Sequence, residues 1–136
     1  MKNVTDLILK LTGICKLNED SIRQEFDLSP AEYNGLTSIN PGEQITCKVL
    51  AEKMGLSASR GSRIIFRLVN DGYLKQEASP DDRRCQIVSL DKNGLRVRKE
   101  IDRLKNKCEE RITRAVSPEV LKDIIHNLEV LNKVLS

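Results

Sequence analysis

Apolar residues recur at helical spacing near both ends of the chain. Six in the N-terminal segment fall on one helical face: Val4, Leu7, Ile8, Leu11, Ile14 and Cys15. A polar run at residues 18–21 predicts a break before a short helical piece at 22–26. At the other end, Ser117-Pro118-Glu119 begins a last helix whose apolar positions form two stripes. Both ends therefore offer more apolar surface than a helix with one inward face needs.

The middle of the chain carries a succession of helix start and stop signals. Ser29, Pro30 and Glu32 form a capping-box pattern that begins a helix ending at 40–42. Thr46 can cap the next helix, and Gly55 supplies its left-handed end. Ser57 then caps a second helix that reaches about residue 70. Two short helices joined by a turn containing glycine are a helix-turn-helix.

After this motif the hydrophobic period changes from 3.6 to 2, which predicts strands at 73–77 and 85–90. The turn between them, 79–84, is charged and ends in two arginines, so the strands form a hairpin with a basic tip. Asp91 can cap the long helix that follows. The predicted fold is mainly α with a small β-wing: a winged helix-turn-helix domain at 28–91, with 1–27 and 92–136 as a helical dimerisation region.

Composition narrows the possible functions of this 136-residue chain. Aromatic residues make up only 3%, which disfavours a protein that stacks single-stranded bases. The four cysteines form no CxxC pair and His126 is the only histidine, so we expect no metal site, no cofactor and no catalytic set of an enzyme. The apolar runs are too short to span a membrane and the N-terminus lacks a signal-peptide pattern, so we expect a cytoplasmic protein.

The net charge of +3 becomes informative only where the arginines gather. Arg60, Arg63 and Arg67 share a narrow arc of the second helix, and apolar residues occupy the opposite side. A solvated surface is the simpler interpretation of three such arginines. The preceding turn and the following wing favour a helix that enters the major groove of double-stranded DNA. The candidate DNA-binding residues are Ser57, Ser59, Arg60, Ser62, Arg63, Arg67, Arg83 and Arg84.

These stretches resemble the MarR family of dimeric winged-helix transcription factors. The resemblance is carried by LSPAEYNGLTSI, ITCKVLAEKMGLSASRGSRIIFRLVNDGYL, SPDDRRCQIVSLDKNG and SPEVLKDIIHNLEVL. It implies that Arg84 enters the minor groove, that Asp82 steadies it, and that Ser62 and Arg63 meet bases. Gly61 departs from the family, which usually has an apolar residue there, and implies a helix that bends or packs closely on its neighbour. The N-terminal region is also shorter than in the family.

The same resemblance implies a homodimer on a pseudo-palindromic operator, most simply a repressor relieved by a small-molecule effector or by thiol oxidation. Cys15, Cys47 and Cys85 are the candidate redox sensors, although cysteines are more often small buried hydrophobes. A protein-interaction winged helix that scaffolds an assembly without touching DNA is the alternative. We expect no membrane partner.

Overall fold

The computed structural model describes residues 3–136, which form six helices and three short strands. In chain order these are α1 (Val4–Phe26), α2 (Pro30–Thr37), β1 (Ile45–Thr46), α3 (Cys47–Lys53), α4 (Ala58–Asn70), β2 (Leu74–Ala78), β3 (Gln86–Leu90), α5 (Lys92–Ala115) and α6 (Pro118–Leu135). The predicted class, mainly helical with a small β-wing, is confirmed.

Short polar side chains begin the helices at the predicted positions. The Ser29 hydroxyl accepts a hydrogen bond from the Glu32 amide at 3.1 Å, and Glu32 accepts one from the Ser29 amide at 3.1 Å, which completes the capping box. Thr46, Ser57 and Ser117 cap α3, α4 and α6 in the same way. These caps satisfy amides that have no partner inside the helix, so each fixes where its helix begins.

The predicted break at residues 18–21 is wrong, because α1 is one continuous helix of 23 residues. The polar run stays helical on a largely exposed surface, and Asp20 forms an ion pair with Arg23 at 3.2 Å one turn later. Ile22 is buried and anchors this part of the helix. The helix ends at Asp27, whose left-handed φ of 55° terminates the hydrogen-bonding pattern.

Helix α2 ends at Thr37, three residues before the predicted stop at Asn40. The hydroxyls of Thr37 and Ser38 both donate to the main-chain carbonyl of Asn34, at 3.0 and 2.7 Å. Side chains that bond to the backbone in this way compete with the next helical hydrogen bonds. Ile39 is nevertheless fully buried, so the apolar periodicity continued past the end of the helix.

The three strands form an antiparallel sheet in the order β1-β3-β2. Leu74 pairs with Leu90 across the predicted hairpin, and Ile45 pairs with Val88 on the other side of β3. Strand β1 was not predicted, because two residues are too few to show an alternating pattern. Leu74, Val88 and Leu90 are buried, and this register therefore directs one face of the sheet toward the helices.

All the buried apolar residues among those described lie between Ile22 and Val97. Contacts divide the chain into two compact units, Met1–Ile101 and Asp102–Ser136. The second unit, taken by itself, has no buried residue, and α6 exposes most of its apolar side chains. The division into a DNA-binding domain at 28–91 and a dimerisation region stays a prediction. No helix within 3–136 is both long and apolar enough to cross a membrane.

Candidate nucleic-acid interface

Helix α4 separates into a buried side and an exposed side, as the sequence pattern predicted. Gly61, Ile65 and Leu68 are buried against the rest of the domain. The three arginines and the two serines of the other side are exposed: Ser59, Arg60, Ser62, Arg63 and Arg67. The apolar side thus anchors the helix, and the guanidinium groups and hydroxyls point to solvent.

Gly61 lets α4 approach α3 closely. A Cβ atom at this position would lie 2.5 Å from the Cβ of Ala51 and 3.3 Å from its Cα. Both distances are shorter than ordinary carbon–carbon contacts of about 3.5–4.0 Å. Of the two explanations offered for this glycine, close packing is therefore supported, and α4 continues as a helix from Ala58 to Asn70.

Ser57 acts in the structure as the cap of α4. Its hydroxyl accepts a hydrogen bond from the Arg60 amide at 3.3 Å and lies 3.5 Å from the hydroxyl of Ser59. A capped N-terminus carries the positive end of the helix dipole. Ser57 therefore fixes where α4 begins, and it is itself exposed.

Local hydrogen bonds hold the tip of the wing. The Ser79 amide donates to the Cys85 carbonyl at 2.9 Å, and the Cys85 amide donates to the Asp82 carbonyl at 3.0 Å. The Asp82 carboxylate accepts from the main-chain amide of Arg84 at 3.0 Å. Asp82 thus orders the backbone at Arg84, while the side chains of Arg83 and Arg84 remain exposed.

The positive charge of this surface is not neutralised by neighbouring carboxylates. Arg23–Asp20 and Lys53–Glu43 form ion pairs, and neither pair includes an arginine of α4 or of the wing. The arginines in question are Arg60, Arg63, Arg67, Arg83 and Arg84. Their guanidinium groups are therefore available to an anionic ligand.

A cleft of about 600 Å³ lies between α4, the start of α3 and the wing. Its lining brings together Ser62 of α4, Arg84 of the wing, and the cysteines Cys47 and Cys85. Cys47 is half-buried, and burial raises the pKa of its thiol. Sequence reasoning did not bring the other polar residues together at this cleft, because the segments that form it are distant from one another along the chain: Thr46, Lys48, Gln76 and Gln86.

The interpretation of the cysteines as small buried hydrophobes is wrong within the single chain. Cys15, Cys85 and Cys108 are exposed, and Cys47 is only half-buried. Cys15 lies on α1, apart from the cleft residues. The described residues hold no cluster of three or more histidine, cysteine, aspartate or glutamate side chains arranged to bind a metal.

Sequence reasoning also missed Phe66, which is 70% exposed on α4. Its position was readable from the sequence, because it follows Arg63 by three residues and so falls on the same side of the helix. Aromatic rings in amphipathic helices usually pack into the core, so the exposure of Phe66 is a feature that only the structure shows.

Comparison with known proteins connects this geometry to a family. A family model described as MarR family matches residues 26–84, the segment from the end of α1 to the wing. The uncharacterized HTH-type transcriptional regulator YfiV of Bacillus subtilis is 26% identical over 129 residues, covering 95% of this chain and 81% of the relative.

Two solved structures share the fold. Rv1404 from Mycobacterium tuberculosis superposes with a TM-score of 0.83 at 20% identity, covering 98% of this chain and 94% of that one. FabT of Streptococcus pneumoniae, solved in complex with DNA, superposes with a TM-score of 0.79 at 20% identity, covering 98% and 97%. Residues 26–84, which contain the capped helix-turn-helix and most of its wing, are thus similar to the MarR family, and the chain shares the fold of these solved structures.

Proposed function

We propose that this protein is a homodimeric transcriptional repressor that binds a pseudo-palindromic operator in double-stranded DNA and releases it in response to a small ligand or thiol oxidation. The observation that carries DNA binding is the exposed, unpaired arginine side of α4, directly opposite its buried side. We also propose a cytoplasmic location and no cofactor. The likeness to FabT, which was solved in complex with DNA, also supports the proposal that this protein binds DNA.

The chemistry of α4 and the wing suits two different parts of a duplex. A helix fits the major groove, where an arginine can bond to the O6 and N7 atoms of guanine, so Arg63 is the proposed base reader. Wing arginines suit the minor groove, whose negative potential increases where it narrows. We assign that contact to Arg84, with Asp82 holding its main chain. Arg60, Arg67, Arg83 and the serines Ser57, Ser59 and Ser62 complete the interface.

Exposed apolar side chains support a dimer. Helix α1 exposes Val4, Leu7, Leu9, Leu11, Ile14 and Leu17, and α6 exposes Val120, Ile124, Ile125, Leu128, Val130, Val134 and Leu135. Exposure of this much apolar surface to water is energetically unfavourable, and an interface with a second copy of the chain is the simplest way to bury it. A twofold dimer would place two recognition helices about 34 Å apart, one turn of DNA.

The cleft beside α4 supports regulated release. An effector bound there would contact both the recognition helix and the wing root, and would shift the population toward dimers with wrongly spaced helices. Oxidation of Cys47 or Cys85, which line the same cleft, would add bulk and polarity at that point. Cys15, exposed on α1, is the third candidate sensor.

A gel shift at physiological salt, with a duplex selected from random sequence, tests DNA binding. We expect Arg63→Ala to weaken binding to the selected duplex by about 1–3 kcal/mol, and random DNA by much less. Arg111→Ala is the matched control, since Arg111 is an exposed arginine of α5 and belongs neither to α4 nor to the wing. An equal loss on both duplexes would contradict base reading. Failure to select any duplex would favour the protein-interaction scaffold.

Arg84→Ala tests the contribution of the wing to DNA binding separately from that of α4. We expect the loss of affinity to be larger for duplexes whose flanks are A-tracts, which narrow the minor groove, than for flanks of mixed sequence. Arg83→Ala provides the neighbouring control. Loss of affinity independent of the flanking sequence would assign Arg84 to phosphates instead.

Oxidation is tested with hydrogen peroxide on the reduced dimer. We expect peroxide to lower the affinity of the wild type, and Cys47→Ser or Cys85→Ser to remove that effect if the cleft is the sensor. Cys15→Ser tests the α1 site, and Cys108→Ser is the control on α5. Undiminished affinity after every thiol has been oxidised would leave only a small ligand as the releasing signal.

A further inference from the structure

Phe66 is the exception among the large apolar residues of α4. Its side chain is 70% exposed, whereas Ile65 and Leu68 are buried and Ile64 is half-buried. The second phenylalanine of the chain, Phe26, is half-buried, and the Arg96 guanidinium lies 5.6 Å from the centre of its ring. Phe66 thus presents a whole aromatic ring to solvent on the helix that carries the arginines.

The position of the ring is fixed by helix geometry. At 100° per residue, Phe66 lies about 60° from Arg63 and about 140° from Gly61, the point of closest packing on α3. Ser62 precedes Phe66 by one turn and Asn70 follows by one turn, and both are exposed. Phe66 therefore belongs to the same outward side as the proposed base reader Arg63.

We infer that Phe66 is a specificity-determining residue that contacts the 5-methyl group of a thymine in the major groove, beside the base read by Arg63. The inference rests on the DNA-binding function proposed above. An aromatic ring has no hydrogen bond to offer a phosphate, and the thymine methyl is the apolar group that the major groove displays. A ring on the same outward side as arginines that bind phosphates and bases would be brought against base edges when the helix docks.

The charge around Phe66 favours DNA over a protein partner as the molecule that buries its ring. Arg63 and Arg67 lie to one side of it on the helix, at about 60° and 100°, and neither forms an ion pair with a carboxylate within the described chain. An apolar protein surface would have to bury these guanidinium groups as well, which is costly unless acidic groups meet them. A polyanion that also displays methyl groups satisfies both the ring and the arginines.

Replacement of thymine by deoxyuridine tests the contact, since it removes one methyl group and leaves pairing unchanged. A duplex selected by the wild-type dimer is prepared with each thymine replaced in turn. We expect one position per half-site at which the substitution weakens wild-type binding about fourfold, the change that corresponds to one buried methyl group. Phe66→Asn should bind the thymine and deoxyuridine duplexes equally, and Phe66→Leu, which stays apolar, should keep part of the preference.

The inference is overturned if no deoxyuridine position weakens the wild type, or if Phe66→Asn keeps the wild-type ratio. It is also overturned if Phe66→Asn alters the dimer dissociation constant in sedimentation, because the ring would then contact a second copy. Failure of the wild type to select any duplex would instead refute the proposed function. Since Phe66 is exposed, these variants are expected to keep the wild-type fold and unfolding midpoint, which circular dichroism checks.

Discussion

Gly61→Ala should destabilise the protein, although alanine is the better helix former. In an exposed helix interior this substitution would gain about 1 kcal/mol. Here the new Cβ would lie 2.5 Å from the Cβ of Ala51 and 3.3 Å from its Cα. The Cα of Ala51 belongs to the backbone of α3 and its Cβ is bonded directly to it, so neither atom can rotate away. Helices α3 and α4 must therefore separate. Overpacking costs about 1–3 kcal/mol, and a Cβ–Cβ approach of 2.5 Å places this clash in the upper part of that range, above the gain of about 1 kcal/mol in helix propensity.

Two further variants isolate the contact. Ala51→Gly removes the Cβ that the new methyl would meet, so the double variant Ala51→Gly/Gly61→Ala should recover most of the stability. Gly13→Ala is the matched control: Gly13 lies inside α1, and a Cβ there would meet nothing within 4 Å. It should therefore stabilise the protein by about 0.5–1 kcal/mol.

Urea unfolding followed by circular dichroism, at one fixed protein concentration, measures the free energy of unfolding of each variant relative to the wild type. A net loss of about 1 kcal/mol corresponds to a fall of roughly 4 °C in Tm for a chain of this size. If Gly61→Ala were as stable as the wild type, or gained as much as Gly13→Ala, the close approach of α3 and α4 would be refuted. If the double variant showed no recovery, the clash would lie elsewhere than at Ala51.

Three other outcomes follow from the surroundings of Gly94, Tyr73 and Tyr33. Gly94→Ala should cost about 3 kcal/mol in the same assay, because its Cβ would lie 2.2 Å from the main-chain oxygen of Tyr73, which cannot move independently; wild-type stability would contradict this. Tyr73→Phe removes the hydroxyl that donates to the Phe26 carbonyl at 3.0 Å, and should cost about 1 kcal/mol. Burial raises the pKa of Tyr73 and of Tyr33, so their neutral forms stabilise the fold below pH 10, and this contribution is lost as the pH rises through the folded pKa values. Urea titrations between pH 8 and 11 should show a smaller loss of stability for Tyr33→Phe/Tyr73→Phe than for the wild type, and parallel losses would refute the assignment.

The features predicted most accurately from the sequence were those decided by neighbouring residues. The caps at Ser29, Thr46 and Ser57 depend on a hydroxyl two or three residues from an amide, and the left-handed end at Gly55 depends on one glycine. The hairpin likewise follows from local alternation around a polar turn. In each case the interacting groups are close together in the chain, so the local sequence is enough to predict their contact.

The features that sequence reasoning missed depend on distant residues. Strand β1 exists because Ile45 and Thr46 pair with β3, more than forty positions away. The continuity of α1 depends on Ile22, which is held in a core built by later segments. The cleft brings Cys47 to the wing residues Arg84 and Cys85, and no short-range pattern could indicate that they share one space.

The division of α4 into two sides has an evolutionary consequence. The residues proposed to read DNA, among them Arg63 and Phe66, add nothing to the core, while Gly61, Ile65 and Leu68 make no proposed contact with DNA. Exposed positions tolerate substitution at a cost of about 0.5 kcal/mol or less. Mutations on the outward side can therefore redirect the protein to a new operator at little cost in stability. A duplicated copy of this gene could therefore acquire control of different promoters through single substitutions, each of which leaves the protein folded.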